Sequence, residues 1–447
     1  MSEAIALADQ AISILSGMKL EAEIYLEDNS VTSVCVAGGK TESLELKEER
    51  GAGIRIFDGG RVGFAHTADL SPQGIRDAAA AARSFAAHTD PDAANRLPAI
   101  ESSAVADPDP GELAIGRLEA YRKAAIARAM EEAARAVDPR ITRVRQARYT
   151  DVVGRVEIRS TGGVSRGAPF ARVYGSIELH AEENGESQSG YATDYALRFS
   201  ALDPFRIGRE AARKALAKLG ARPSKTLRTD VVFTPEVTGD LLEAFMPALG
   251  ADNVLKGKSL FAGKVGAKVA SPVVDLVDDG RFPGSNRTFP FDGEGNATKR
   301  NVLVEGGVLR GYLHNAYTSM KMSCAPTGNA FRSSYAGPPR ISPNMIYFVP
   351  QAATREEILS RVKSGVCISE VMGLHTVDPI TGEFSLGAFG QAIENGALTH
   401  PVTGIGFAGT VSELLSNVEG VASDLRMLPS GSGGSTILVR SVSISGT

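Results

Sequence analysis

The sequence predicts an α+β fold in two domains, the first with an antiparallel sheet and helices, the second rich in strands with few helices. Three observations carry this. Short β-prone runs show period-two polarity, a few segments show helical periodicity, and 48 glycines, thickening after residue 250, exceed the average share of ~7%. A chain of 447 residues is also long enough for more than one core.

Residues 3 to 17 carry Ile5, Ala8, Ile12 and Leu15 at helical spacing, with Gly17 placed to end the helix. The runs EAEIYLED, VTSVCVA, SLELKEE, GIRIFDG and RVGFAHTA follow and are expected as separate strands, divided by Gly, Asn or Asp. Helices are expected from Ser71 to Ala87 and from Gly116 to Val137, the second with Ile126, Met130, Ala133 and Val137 on one stripe. In RVYGSIELHAE, Val173, Gly175, Ile177 and Leu179 alternate with Arg172, Tyr174, Ser176, Glu178 and His180, which predicts an antiparallel strand with one wet face. A helix from Asp203 to Leu219 closes this half. The exposed connection GARPSKTLR sets the boundary, giving an N-terminal domain over 1–222 and a C-terminal domain over 223–447.

The second half opens with the strand DVVFTP and a helix in which Val237, Leu241, Phe245 and Leu249 face a core. Glu243, about 200° from Leu241, points away from that core, and Pro247 should bend the last turn. Strands and glycine turns follow, among them a hairpin at Gly306-Gly307. They are broken by helices at Thr354 to Val362 and Val411 to Val418.

Several function classes are excluded or weakened. No stretch approaches the ~20 apolar residues of a membrane helix, and Met1 to Gln10 carries Glu3 and Asp9 without lysine or arginine, unlike a signal peptide. A cytoplasmic location is therefore expected. Cys35, Cys324 and Cys367 form no CxxC pair, which argues against a disulfide framework or zinc knuckle. A net charge of −4 and a pI near 6.0 give no global attraction to phosphate backbones, so direct nucleic-acid binding is not expected. The six histidines, His66, His88, His180, His314, His375 and His400, include no pair one helical turn apart, the spacing a helix-borne zinc peptidase site needs. There is no GxSxG elbow. GIGFAG, Gly404 to Gly409, matches GxGxxG but lacks a βαβ setting and is expected to be a tight β-turn. GSGGS at 431–435 lacks a following GK[ST] and is expected to be a flexible loop.

Two stretches are dense in Asn, Thr, Gly and single charges, the composition of recognition loops. At these residues the chain resembles the TldD/PmbA family of zinc-dependent peptidases, historically named modulators of DNA gyrase. The resemblance spans essentially the whole chain and rests on DLVDDGRFPGSNRTFPFDGEGNATKRNVLVEGGVLRGYL, PTGNAFR, TGEFSLGAFGQAIENGALTHPV and ASDLR. TldD-type chains carry HExxxH early in the C-terminal domain and a cysteine ligand near the C-terminus. Here the three motif positions fall on Glu243, Ala244 and Ala248, and MLPSGSGGST contains no cysteine.

The resemblance therefore implies the other kind of subunit, PmbA, also called TldE. It implies a chain without catalytic residues, zinc or other cofactor of its own. The zinc would sit in a TldD-type partner, and the pair would process unfolded peptides. Association as a heterodimer, a homodimer or both is expected, with an extended peptide as substrate. The groove for it is expected in the loops around His314, Asn329, Arg332 and His375. Two further readings stand beside this one. The first is an autonomous peptidase with an unconventional metal site built from Glu243, His375 and Asp378. The second is a non-enzymatic regulator of gyrase or of toxin-antitoxin control.

Overall fold

The computed structural model describes residues 2–98 and 108–446. It is a mixed α+β molecule with antiparallel sheets, helices and a β-rich C-terminal half. Among the described residues no helix is long and apolar enough to cross a membrane.

In the N-terminal half, α1 (Ser2–Gly17), β1 (Glu21–Ala37), β2 (Lys40–Asp58), β3 (Arg61–Thr67), α2 (Pro72–Ala87), α3 (Ala120–Arg135), β4 (Ile141–Ser160), β5 (Ser165–Glu183), β6 (Glu186–Ala196) and α4 (Pro204–Leu216) follow in order. The six strands form one antiparallel sheet in the order β3-β2-β1-β4-β5-β6. Two expectations change. EAEIYLED and VTSVCVA are one continuous strand, β1, and SLELKEE and GIRIFDG are one strand, β2, because the ladder of paired backbone groups runs unbroken through the polar residues between them. The third helix starts at Ala120, after a separate 3-10 turn over Leu113–Arg117.

The helices begin where local chemistry favours them. Ser71 caps α2 by accepting the Gly74 N–H at 3.1 Å with Pro72 in the first turn, and Asp203 caps α4 by accepting the Arg206 N–H at 3.0 Å before Pro204. Their alanine-rich faces close one side of the sheet: Ala79 and Ala82 lie over Ile54, while Ala211 and Ala215 lie with Met130 over Val173 and Ile177. Part of the other side of the sheet is covered as well. Tyr25, Val156 and Ala168 pack there against Phe291 of the C-terminal half. The expectation of a wet face on β5 is accordingly corrected at Arg172, which is buried because the second half docks onto it.

That half contains two large sheets and a two-stranded one, Ala330–Phe331 with Arg340–Ile341. One large sheet runs Val308–Leu309, Arg300–Glu305, Leu276–Asp279, Ile346–Phe348, Ser432–Gly434, Arg426–Met427. In the other, Ile437–Ser445, Leu227–Phe233, Ser364–Met372, Glu383–Glu394 and Ala397–Thr410 are neighbours in turn, and the last pairs back to the first, closing a ring. The hairpin at Gly306-Gly307 forms, with φ of 55° and 76°, the left-handed pair that a two-residue turn requires.

Helix α5 (Pro235–Phe245) lies between the two large sheets with Val237, Leu241 and Phe245 in the core. It gives way to a 3-10 turn over Met246–Leu249, since Pro247 has no N–H to continue the α ladder. Two glycine-rich expectations fail here. Gly404 to Gly409 lies within the strand Ala397–Thr410. Within 431–435, Ser432–Gly434 is a buried strand. At Gly434 a Cβ would sit 1.7 Å from the Pro235 carbonyl oxygen, so glycine is what lets α5 rest directly on this strand's backbone.

Candidate functional site

Docking of the second half onto the free face of the N-terminal sheet is mediated by charge. On β1 and β2, Glu23 and Arg55 stand opposite one another. Arg55 forks onto Glu23, with Nη2 to Oε2 at 2.7 Å, and reaches Glu294 of the C-terminal half with Nη1 at 2.8 Å. Arg332 joins Glu23 from the other side, donates to the Gly293 carbonyl at 2.9 Å and covers the Tyr25 ring at 4.9 Å. Asp292 accepts the N–H groups of Glu294, Asn296 and Ala330 at 3.0, 2.9 and 3.1 Å. These bonds hold the FDGEGN loop rigid where it meets the sheet. Burial, and then the nearby Glu294 carboxylate, push the Asp292 carboxyl well above its usual range.

Beside this network the halves enclose a cavity of about 390 Å³, within the range of small-ligand sites. Its walls are aromatic, with Phe170, Phe289 and Phe331, and its polar lining includes Asn29, Arg172 and Arg287.

Two of the four groove candidates line this cavity, although both are occupied in holding its walls. Asn329 donates to Asp278 Oδ2 at 2.7 Å and to the Ser342 carbonyl at 3.1 Å, and accepts from Asn301 at 3.3 Å. Arg332 is committed to Glu23 and the loop carbonyls. The other two lie elsewhere. His314 is buried behind the loop with Nε2 3.6 Å from Cys324 Sγ, and burial lowers its pKa. His375 is exposed on the 3-10 turn Leu374–Thr376.

The three helix positions of interest form a different surface. Glu243 is exposed, Ala244 half-buried and Ala248 buried. They offer one carboxylate and two methyl groups, which does not fit a zinc ion. Among the described residues no three His, Cys, Asp or Glu side chains lie together as a metal-holding group, and Asp378 Oδ1 is engaged by the Ile380 N–H at 2.7 Å. Asp240, one turn before Ala244, is raised from 3.8 to about 6 by burial and then by repulsion from Glu243 and Glu236. Arg426 ties Glu236 to Glu210 of α4, linking the two halves a second time.

Glu23, Arg55, Glu294, Arg172 and Arg287 went unrecognised as site residues by sequence reasoning. A signal existed in β1, where Glu23, Tyr25 and Glu27 alternate with Ala22, Ile24 and Leu26. Alternation of this kind does not distinguish water from a polar protein surface on the far side.

Comparison with known proteins gives a consistent match along the chain. Family models for PmbA/TldA metallopeptidase domain 1, central domain and C-terminal domain match residues 22–86, 114–219 and 226–446. The chain is 27% identical over 419 residues to Metalloprotease PmbA of Escherichia coli O157:H7, covering 93% of this chain and 90% of that one. It is 28% identical over 419 residues to a Metalloprotease TldD homolog of Haemophilus influenzae, covering 90% and 85%. A crystal structure from Thermotoga maritima, of a protein named as a candidate modulator of a DNA gyrase, matches with a TM-score of 0.90 and 26% identity over 98% and 99% of the two chains. TldE from Thermococcus kodakarensis shares the fold, with a TM-score of 0.87 and 22% identity over the full length of both chains.

Proposed function

The chain belongs to the PmbA/TldD metallopeptidase family, and from that premise we propose that it is the PmbA- or TldE-type subunit of a two-subunit peptidase. In this reading it has no zinc and no cleavage chemistry of its own. It holds and shapes unfolded peptide for a TldD-type partner that carries the zinc.

The observation that carries this is α5. By the family resemblance the helix corresponds to the segment where a TldD-type chain bears HExxxH, yet it presents Glu243, Ala244 and Ala248 and loses α-helical form before Pro247. One carboxylate and two methyl groups stand in place of two ligand imidazoles and a general base, which leaves a single potential ligand where a zinc site needs three. The residues that remain can bind and orient. Exposed backbone edges can take an extended segment as an added strand, which confers affinity with little sequence preference.

The test is to purify the chain alone and together with a TldD-type partner, then measure zinc content and cleavage of an unfolded peptide. The chain alone is expected to hold no stoichiometric zinc and to cleave nothing, while the pair does both. Stoichiometric zinc with cleavage by the lone chain would overturn the proposal and return attention to Glu243, His375 and Asp378.

A further inference from the structure

The cavity between the halves contains two guanidinium groups that no described carboxylate pairs. Arg172, 4% exposed, spends four N–H bonds on the carbonyls of Asn286, Pro110, Ala171 and Thr288, which leaves its charge unneutralised. Arg287 donates from Nε and Nη2 to the Ser430 carbonyl at 3.2 and 2.8 Å and lies 4.8 Å over the Phe331 ring. Its Nη1 bonds to no described residue. Burial lowers the pKa of both arginines, offset only in part by Asp109 near Arg172 and by Glu243 and Asp278 near Arg287, the cost of holding a cation out of water without a contacting carboxylate.

The same cavity holds unused acceptors. The amide oxygens of Asn29 and Asn286 are buried without a hydrogen-bond partner among the described residues. Both amides are oriented by their nitrogens, Asn29 to Glu27 and Asn286 to the Pro429 carbonyl at 2.9 Å. Asn29, 7% exposed, faces the cavity. An orphaned buried acceptor is rare and calls for a donor.

Strand register sets the separation between these groups. Asn29 pairs with Gly154 and Gly154 with Phe170, while Arg172 is two residues along β5 on the same face. Two strand spacings of ~4.8 Å and two residues of ~3.3 Å place the cation end about 11–12 Å from the Asn29 end. An extended segment of three residues covers about 10 Å. A ligand matching this lining carries an anion at one end, N–H donors along its length and an apolar side chain for the phenylalanine wall.

We propose that this cavity binds the carboxyl-terminal end of a peptide, with the α-carboxylate at Arg287 and Arg172, peptide N–H groups on the amide oxygens of Asn286 and Asn29, and an apolar last side chain among Phe170, Phe289 and Phe331. The assignment rests on the peptide-handling reading above and adds which end of the peptide is recognised.

Calorimetric titration of the full chain, without partner, with N-acetyl-Ala-Ala-Phe as free acid and as amide tests it. The acid is expected to bind at least about tenfold more tightly, the usual size of one charge-assisted hydrogen bond. Arg287→Gln is expected to remove that preference and Arg287→Lys to keep most of it, with thermal unfolding followed in parallel to show that both variants are folded. Equal binding of acid and amide would overturn the proposal, as would an acid preference that survives in folded Arg287→Gln. Inorganic phosphate binding as tightly as the peptide acid would also overturn it, leaving a general anion site. Binding of neither peptide would remove the cavity site while leaving the accessory-subunit reading, which partner-dependent cleavage decides separately.

Discussion

The inward face of the N-terminal sheet and the outward face of α5 are built from the same kinds of residue and treat them in opposite ways. On the sheet, Glu23 is matched by Arg55 and Arg332, and Glu294 by Arg55. On α5, Asp240 and Glu243 form no ion pair with a described cation, and burial, then repulsion from Glu243, raises the Asp240 pKa. A paired charge can be buried and then fixes two surfaces in register. An acid without an ion-pair partner leaves its surface uncommitted. The sheet face is therefore the joint of the molecule, and the α5 face is the place where, under the proposed function, the family's chemistry has been withdrawn.

The sharpest way to break this contrast is at Arg332, whose side chain is 1% exposed. Arg332→Ala removes one partner from a buried charged network and exposes the Tyr25 ring it covers. A loss of about 3–5 kcal/mol is expected, read by urea unfolding, and both halves should loosen together. A loss below ~1 kcal/mol would show the network to be dispensable.

Next in size is Gly434→Ala. An added methyl must displace the Pro235 carbonyl and with it the start of α5, at a cost of about 1–3 kcal/mol. The expected signature is destabilisation without change in the cavity face, so the affinity for a cavity probe should hold. A neutral result would mean that α5 rides loosely on the strand.

These two positions also mark what was legible in the sequence. The core stripe Val237, Leu241, Phe245 was legible because helical period follows directly from residue type. The exposure of Glu243 follows from the same arithmetic. Gly434 was not, because a run of Gly and Ser has the same composition whether it is a mobile loop or a strand shorn of side chains to admit a helix. Arg172 and Glu23 were not, because the surface that buries them lies more than a hundred residues away along the chain. Asn329 and Arg332 were picked out as polar loop residues, and only their hydrogen bonds reveal that they build the cavity wall.

A third measurement separates the two faces by pH. The folded Asp240 pKa, about 6, lies above its ordinary value of 3.8, so the folded state binds this proton more tightly than the unfolded chain. The resulting stability is fully present below about pH 4 and is lost as pH rises through 6. Asp240→Asn keeps the side chain neutral. It should match the parent at pH 4 and exceed it by about 1–2 kcal/mol at pH 8, after allowance for the partial exposure of the group. An advantage that does not change with pH would show that the strain at this position is steric and not electrostatic.

The smallest effect is expected at Glu243, and it bears most directly on function. An exposed helical acid without a partner contributes within about ±0.5 kcal/mol to stability, so Glu243→Ala should leave the unfolding midpoint in place. Its carboxylate is nevertheless the larger of the two charge repulsions raising Asp240. Its removal should therefore draw the Asp240 titration downward, which a carboxyl-detected NMR titration would follow. With the TldD-type partner present, the proposed function predicts an unchanged rate of peptide cleavage, because it assigns no bond-making or bond-breaking to this face. A tenfold loss of cleavage in a variant that folds normally and still pairs would mean that α5 contributes an acid to the reaction after all, and the distinction between joint and vacated site would fail at the residue chosen to test it.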